Sequence, residues 1–112
     1  MRERDYRALD GLLHSRIRLA AVSALMELDV AEFSLLKELT GATDGNLSAH
    51  LRKLEDSGYV EVRKTYAGRK PVSYYSLTSE GRTAFERYVL ALAAFVAPAA
   101  ERGRGTPGKE DQ

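Results

Sequence analysis

The 112-residue chain contains no cysteine, which rules out disulfides and thiolate metal sites and suits a reducing cytoplasm. Histidine is nearly as scarce. His14 and His50 are the only two, and they fall on different expected elements, too few and too scattered for a metal site. No serine sits in a nucleophile motif, and no glycine-rich loop is arranged to cradle phosphate. The expectation is a protein that is not an enzyme and carries no cofactor. Residues 1–7 lead into mixed helix rather than an apolar signal segment. The apolar run at residues 88–97 is well short of the about 20 residues that a bilayer span needs. The expected location is therefore cytoplasmic, with no membrane partner, and no internal repeat is visible. One absence is local: residues 62–79 hold no Asp or Glu.

That gap gives the charge pattern its meaning. The net charge is only +1, so the chain does not announce a polyanion partner by its total charge. Yet Arg63, Lys64, Arg69 and Lys70 all fall in the acid-free stretch, while Glu27, Asp29, Glu32, Glu38, Glu55 and Asp56 lie elsewhere. Taken alone, the stretch reads equally as a phosphate-contacting surface or as an edge strand protected by cations. A hydrophobic fraction of 44% is ordinary and supports one core. The expected organisation is one domain over residues 1–100 and a disordered, Gly- and charge-rich tail over 101–112.

Leu9, Leu12, Leu13, Ile17, Ala20, Ala21, Ala24 and Leu25 recur at helical spacing, so residues 4–28 read as helix. Ser15 is a candidate N-cap that divides the run into a short helix and a longer one. Residues 28–32 read as a connector. Phe33 is expected to be buried, with Ser34 capping a helix over 35–39. After the break Thr40-Gly41-Ala42, Thr43 caps a second helix, and Asp44 favours its positive end. Leu47, Leu51 and Leu54 form its buried stripe, and Gly58 supplies the left-handed stop. Residues 59–66 alternate as a half-buried strand, residues 67–71 form a turn, and residues 72–77 return. Tyr59 and Tyr75 read as core side chains rather than stacking platforms for single strands. Thr78 caps a last helix, with Glu80 near its positive end, that Pro98 is expected to end. Apolar residues cover both its faces, which leaves a dimer seam, a ligand pocket wall or simple packing on the first helix. The seam is the preferred reading, formed by Leu9, Leu12, Leu13, Tyr88, Leu92, Phe95 and Val96.

Two helices on a tight turn followed by a basic hairpin are the layout of a winged helix-turn-helix. The fold class is mainly α with a small β-hairpin (α+β), with an added C-terminal dimerisation helix. Such a domain aims one helix and one loop at the same side, as gripping a duplex requires. The recognition helix is 43–57 and the wing 63–72. Off the leucine stripe, Asn46, Ser48, Ala49 and His50 are the candidates for reading bases; Arg52, Lys53, Arg63, Lys64, Arg69 and Lys70 are candidates for phosphate. Thr43 belongs to the same surface.

The run Thr43-Asp44-Gly45-Asn46-Leu47-Ser48-Ala49-His50-Leu51-Arg52-Lys53-Leu54-Glu55 resembles the reading helix of small bacterial and archaeal winged-helix regulators. Gly58-Tyr59-Val60, Gly68-Arg69-Lys70-Pro71 and Tyr75-Ser76-Leu77-Thr78-Ser79-Glu80-Gly81-Arg82 continue the likeness. So does Leu9-Asp10 with His14-Ser15-Arg16-Ile17-Arg18-Leu19. Over roughly residues 8–97 the chain is similar to the MarR/ArsR-like group, and most to its compact branch. The resemblance implies a homodimeric transcription regulator, with base contacts from the second helix of the pair and backbone contacts from the wing. The metal-sensing branch uses Cys or His/Asp clusters, so the missing cysteines favour an organic effector or none. The expected partner is double-stranded DNA, and the expected action is repression by occlusion. The rival reading is a winged helix that docks another protein and binds no DNA.

Overall fold

The computed structural model describes residues 9–104. The elements run α1 (Arg16–Leu28), β1 (Val30–Glu32), α2 (Phe33–Thr40), α3 (Asp44–Asp56), β2 (Val60–Ala67), β3 (Lys70–Leu77) and α4 (Ser79–Arg104). The strands form one antiparallel sheet in the order β1-β3-β2. This is the winged helix architecture expected from sequence, and the C-terminal helix is present.

Local chemistry sets most boundaries. Ser15 Oγ accepts from Arg18 N–H and opens α1, so the first helix begins only at Arg16. Residues 11–13 form a turn, and residues 4–8 of the expected helix lie outside the described residues. Thr43 Oγ1 accepts from Asn46 N–H to open α3. Gly58, at φ +82°, carries the chain out of α3. Thr78 Oγ1 accepts from Gly81 N–H at the start of α4. Each such cap stabilises by about 1 kcal/mol.

Four local expectations are corrected. Residues 28–32 are no mere connector, because Val30, Ala31 and Glu32 pair with Ser76, Tyr75 and Tyr74 as a third strand. Asp29, at φ +69°, swings the chain out of α1 within one residue and makes that pairing possible. Ser34 does not cap α2; the helix begins at Phe33, and Ser34 Oγ donates to Glu32 Oε1 instead. Phe33 is half-buried rather than buried, its ring tilted against Tyr75 with centroids 6.5 Å apart. Pro98 does not end α4, which runs through it to Arg104 and takes in the first residues assigned to the tail. A helical proline removes one backbone bond, and the alanines around Pro98 have the highest helix propensity. Residues 105–112 lie outside the described residues.

The core gathers Leu13, Ala21, Val22 and Leu25 with Ala31, Leu36, Leu47, Leu51, Leu54, Val60 and Tyr88. The α3 stripe is fully used, with Leu47, Leu51 and Leu54 each at most 1% exposed. Their burial fixes the helix's rotation, and so fixes which side chains it turns to solvent. Tyr59 and Tyr75 pack against this core, as expected.

Candidate nucleic-acid interface

At about 100° per residue, the positions opposite the leucine stripe of α3 are Gly45, Ala49, Arg52, Lys53 and Asp56. Asn46 and Ser48 lie on the two flanks, and all seven side chains or positions are exposed. Small residues at Gly45 and Ala49 leave the helix axis free to approach a groove floor. Nothing lies within 4 Å of a Cβ added at Gly45. Gly45→Ala should therefore stabilise the protein by about 0.5–1 kcal/mol, read as a higher denaturation midpoint.

The hairpin register places Lys64 opposite Ser73, Tyr66 opposite Pro71 and Ala67 opposite Lys70. The turn is two residues, Gly68 and Arg69, tighter than the expected 67–71 loop. Gly68, at φ +67°, suits a hairpin turn that opens on glycine. Because β1 covers only Tyr74, Tyr75 and Ser76, the outer half of β2–β3 is a free two-stranded ribbon. Its tip carries Arg69 and Lys70, both exposed. Among the described residues, neither they nor Arg52, Lys53 and Lys64 make an ion pair. The acid at the head of α3 is neutralised: Asp44 lies 2.9 Å from Lys37 Nζ.

Strand alternation sorts the basic residues. Val60, Val62, Lys64 and Tyr66 share a face, as do their partners Leu77, Tyr75, Ser73 and Pro71. Val60 and Leu77 on that face meet the helices, so Lys64 continues it beyond the core. Ser48, Arg52, Lys64 and Ser73 line one cleft between α3 and the ribbon, floored by Phe33 and Tyr75 and bordered by Glu55. Burial holds the Tyr75 hydroxyl above its usual value, with the Glu55 charge adding to the rise. Arg63 is on the opposite sheet face, its guanidinium 4.8 Å from the centre of the Tyr74 ring. The structure thus brings Arg52, Lys53 and Lys64 to one side and leaves Arg63 off it, while Arg69 and Lys70 stand at the ribbon tip, where Lys70, paired with Ala67, follows the Arg63 face.

His50 also departs from the outward face. It is half-buried at the α1 side of α3, with Nδ1 2.8 Å from an Arg18 guanidinium nitrogen. Burial lowers its pKa below 6.5, and the charges of Arg18 and Lys53 lower it further. Nothing in the sequence marked Arg18 as a partner, because the two residues are 32 positions apart. The segment before α1 is tied down elsewhere as well. Tyr59 donates to Asp10 at 2.6 Å, a bond that, with burial, pushes its pKa up to about 12. His14 Nδ1 meets the Tyr88 hydroxyl at 2.8 Å.

The expected dimer seam divides. Leu13 is 0% exposed and Tyr88 3% within one protomer, so neither has surface left to bury against a partner. This corrects the seam: both are core residues. Leu9, Leu12 and Leu92 are half-buried against that core, and Phe95 is half-buried on α4. Val96 remains exposed, beside Val89 and Leu90. Among the described residues, no helix is long and apolar enough to cross a membrane, and no group of three or more His, Asp or Glu is placed to hold a metal.

Comparison with known proteins fits this geometry. The model of the winged helix DNA-binding domain family matches residues 17–96. An uncharacterised protein of Methanocaldococcus jannaschii is 37% identical over 78 residues, 70% of this chain and 85% of that one. The structure of a transcriptional regulator homologue from Pyrococcus horikoshii superposes with a TM-score of 0.75 at 27% identity, over 95% of this chain and 100% of that chain. A Mycobacterium tuberculosis transcriptional regulator solved with DNA shares the fold, with a TM-score of 0.63 at 20% identity, over 90% of this chain and 70% of that one. The chain belongs to the winged helix DNA-binding domain family, and its fold is the one that transcriptional regulators share, a MarR-family regulator from Silicibacter pomeroyi among them.

Proposed function

We propose that the protein binds double-stranded DNA sequence-specifically as a homodimer and acts as a repressor by occluding its site. The observation that carries this reading is the joint exposure of the outer face of α3 and the ribbon tip, where Arg52, Lys53, Lys64, Arg69 and Lys70 make no ion pair among the described residues. In this reading α3 lies in the major groove. Asn46 and Ser48 offer donors and acceptors to base edges, and Ala49 offers a methyl-sized apolar contact, as thymine would accept. Thr43 holds the helix start that faces the groove. Arg52, Lys53 and Lys64 meet phosphates beside the groove, and Arg69 and Lys70 reach the backbone or the minor groove from the wing.

The homodimer rests on α4. Its 26 residues span about 39 Å at 1.5 Å per residue. The protomer measures 62 × 32 × 22 Å, with a radius of gyration of 17.7 Å against about 13 Å for a compact domain near this size. Val89, Leu90 and Val96 are 44%, 71% and 46% exposed along it. A second α4 buries this stripe. The twofold pair then presents two copies of α3 to half-sites about 34–36 Å apart.

Binding of duplex DNA at several salt concentrations tests the proposal. Log affinity should fall linearly with log salt, and a genomic selection should return a palindromic site. Salt-independent or absent duplex binding would contradict it. Asn46→Ala should relax preference at one base position, costing roughly 1–3 kcal/mol of discrimination there. An unchanged preference profile would remove Asn46 from the reading set.

The protein-docking alternative draws on one observation. Leu28, Val30, Leu35 and Leu39 are 37–53% exposed at the α1–β1–α2 corner, next to Glu32 and Glu38. Salt-dependent duplex binding separates the two readings.

A further inference from the structure

The contact between Arg18 and His50 fixes a chemical state. Arg18 Nε donates to the Leu12 carbonyl at 2.6 Å, and a terminal guanidinium nitrogen lies 2.8 Å from His50 Nδ1. A guanidinium has donors only and keeps its proton throughout the pH range of proteins. His50 Nδ1 is therefore the acceptor. An imidazole that accepts at Nδ1 is neutral and carries its proton on Nε2, at the other edge of the ring. The charged groups facing the ring are Arg18 from α1 and Lys53 on α3 itself; both are cationic, and both oppose a second proton. On the helix surface His50 neighbours Asn46 and Lys53, four residues before and three after, which lie on the flank turned to solvent.

We propose that Arg18 is a positioning residue for sequence reading: anchored on the Leu12 carbonyl, it holds His50 as a neutral ring that offers a single directed donor, Nε2–H, beside Asn46. The proposal rests on the reading that α3 enters the major groove. The donor suits an acceptor on a base edge, such as guanine N7 or O6, adenine N7 or thymine O4. A protonated ring has two donors and no acceptor, so it releases Arg18 and loses its fixed direction.

The chain's two histidines make ring nitrogen NMR of the free protein direct. The wild type should show His50 with its proton on Nε2 and a titration midpoint below 6.5. Arg18→Met, which keeps the stem and removes the donors, should move that midpoint up and mix the tautomers. In selection from randomised duplexes at neutral pH, Arg18→Met should lose roughly fivefold of preference at one base step, the worth of about one hydrogen bond. The wild type should lose the same preference when the pH falls below the His50 midpoint. His50→Gln, which keeps an amide donor without titrating, should retain the preference and lose its pH dependence.

A proton on Nδ1, or a midpoint that Arg18→Met leaves in place, would overturn the proposal. So would a uniform loss of affinity with base preferences intact, which would mark a phosphate contact or a purely structural role. A wild type without salt-dependent duplex binding would overturn the groove reading, and this proposal with it. Duplex binding that persists while the ring results fail would overturn this proposal alone.

Discussion

Replacing Arg69 and Lys70 together with alanine should cut duplex affinity for every sequence by roughly a hundredfold or more at low salt, and should flatten the salt dependence. Each side chain stands at the tip of the free ribbon, exposed, with no ion pair among the described residues. Their removal therefore breaks no ion pair among the described residues, and the fold should not suffer. In a twofold dimer the double substitution removes four cations. At about 0.9 released counterions per phosphate contact, the log–log slope should shrink by roughly 3–4. Sequence preference should survive, because phosphate contacts position the protein without reading bases. Fluorescence anisotropy at several salt concentrations measures both quantities. An unchanged slope would mean that the tip does not touch the backbone.

The largest expected effect on stability belongs to Gly81→Ala. A Cβ built at Gly81 would lie 2.1 Å from the Tyr59 carbonyl oxygen and 2.9 Å from its carbon. The obstacle is backbone, and it is held: Thr78 N–H donates to that same oxygen, and Thr78 Oγ1 donates to the Gly58 carbonyl at 2.6 Å. Relief requires the start of α4 to move off the chain that leaves α3. Overpacking of this kind costs about 3 kcal/mol. The melting temperature should fall by roughly 15 °C for a domain of this size. Thermal or urea unfolding measures it, with Gly45→Ala as the control of opposite sign. A loss below about 1 kcal/mol would show that the junction yields easily. The same junction sets the angle between α3 and α4, so a partly tolerated variant should also lose affinity for spaced half-sites.

What could be read in the sequence was whatever is encoded within a few residues. Thr43, Thr78 and Ser15 were legible as caps because a cap is a bond to a neighbour two or three positions on. The leucine stripe was legible because periodicity alone decides it, and with it most of the outward face of α3. Alternation was enough to pair Val60 and Val62 on one side of β2. Other features depend on distant residues. β1 is three residues long and exists only through Tyr74, Tyr75 and Ser76, more than forty positions away. Leu13 and Tyr88 have the periodicity of a dimer seam, but the protomer itself buries them. The orientation of the His50 ring depends on Arg18, on another helix 32 positions away. Arg63 and Lys64 are adjacent in sequence and similar in charge; the pleat sends them to opposite faces, and only the packing of the sheet on α3 says which face counts. Pro98 has the usual mark of a helix breaker, yet α4 continues through it to Arg104.

In the proposed function, the outer face of α3 and the wing tip together form the DNA-binding surface. Mapping backbone amide NMR shifts during titration with a selected duplex tests it most directly. The affected amides should cluster at Gly45, Asn46, Ala49, Arg52 and Lys53 and at Arg69 and Lys70. Perturbations confined to the α1–β1–α2 corner around Val30 and Leu35, with α3 and the wing silent, would contradict it.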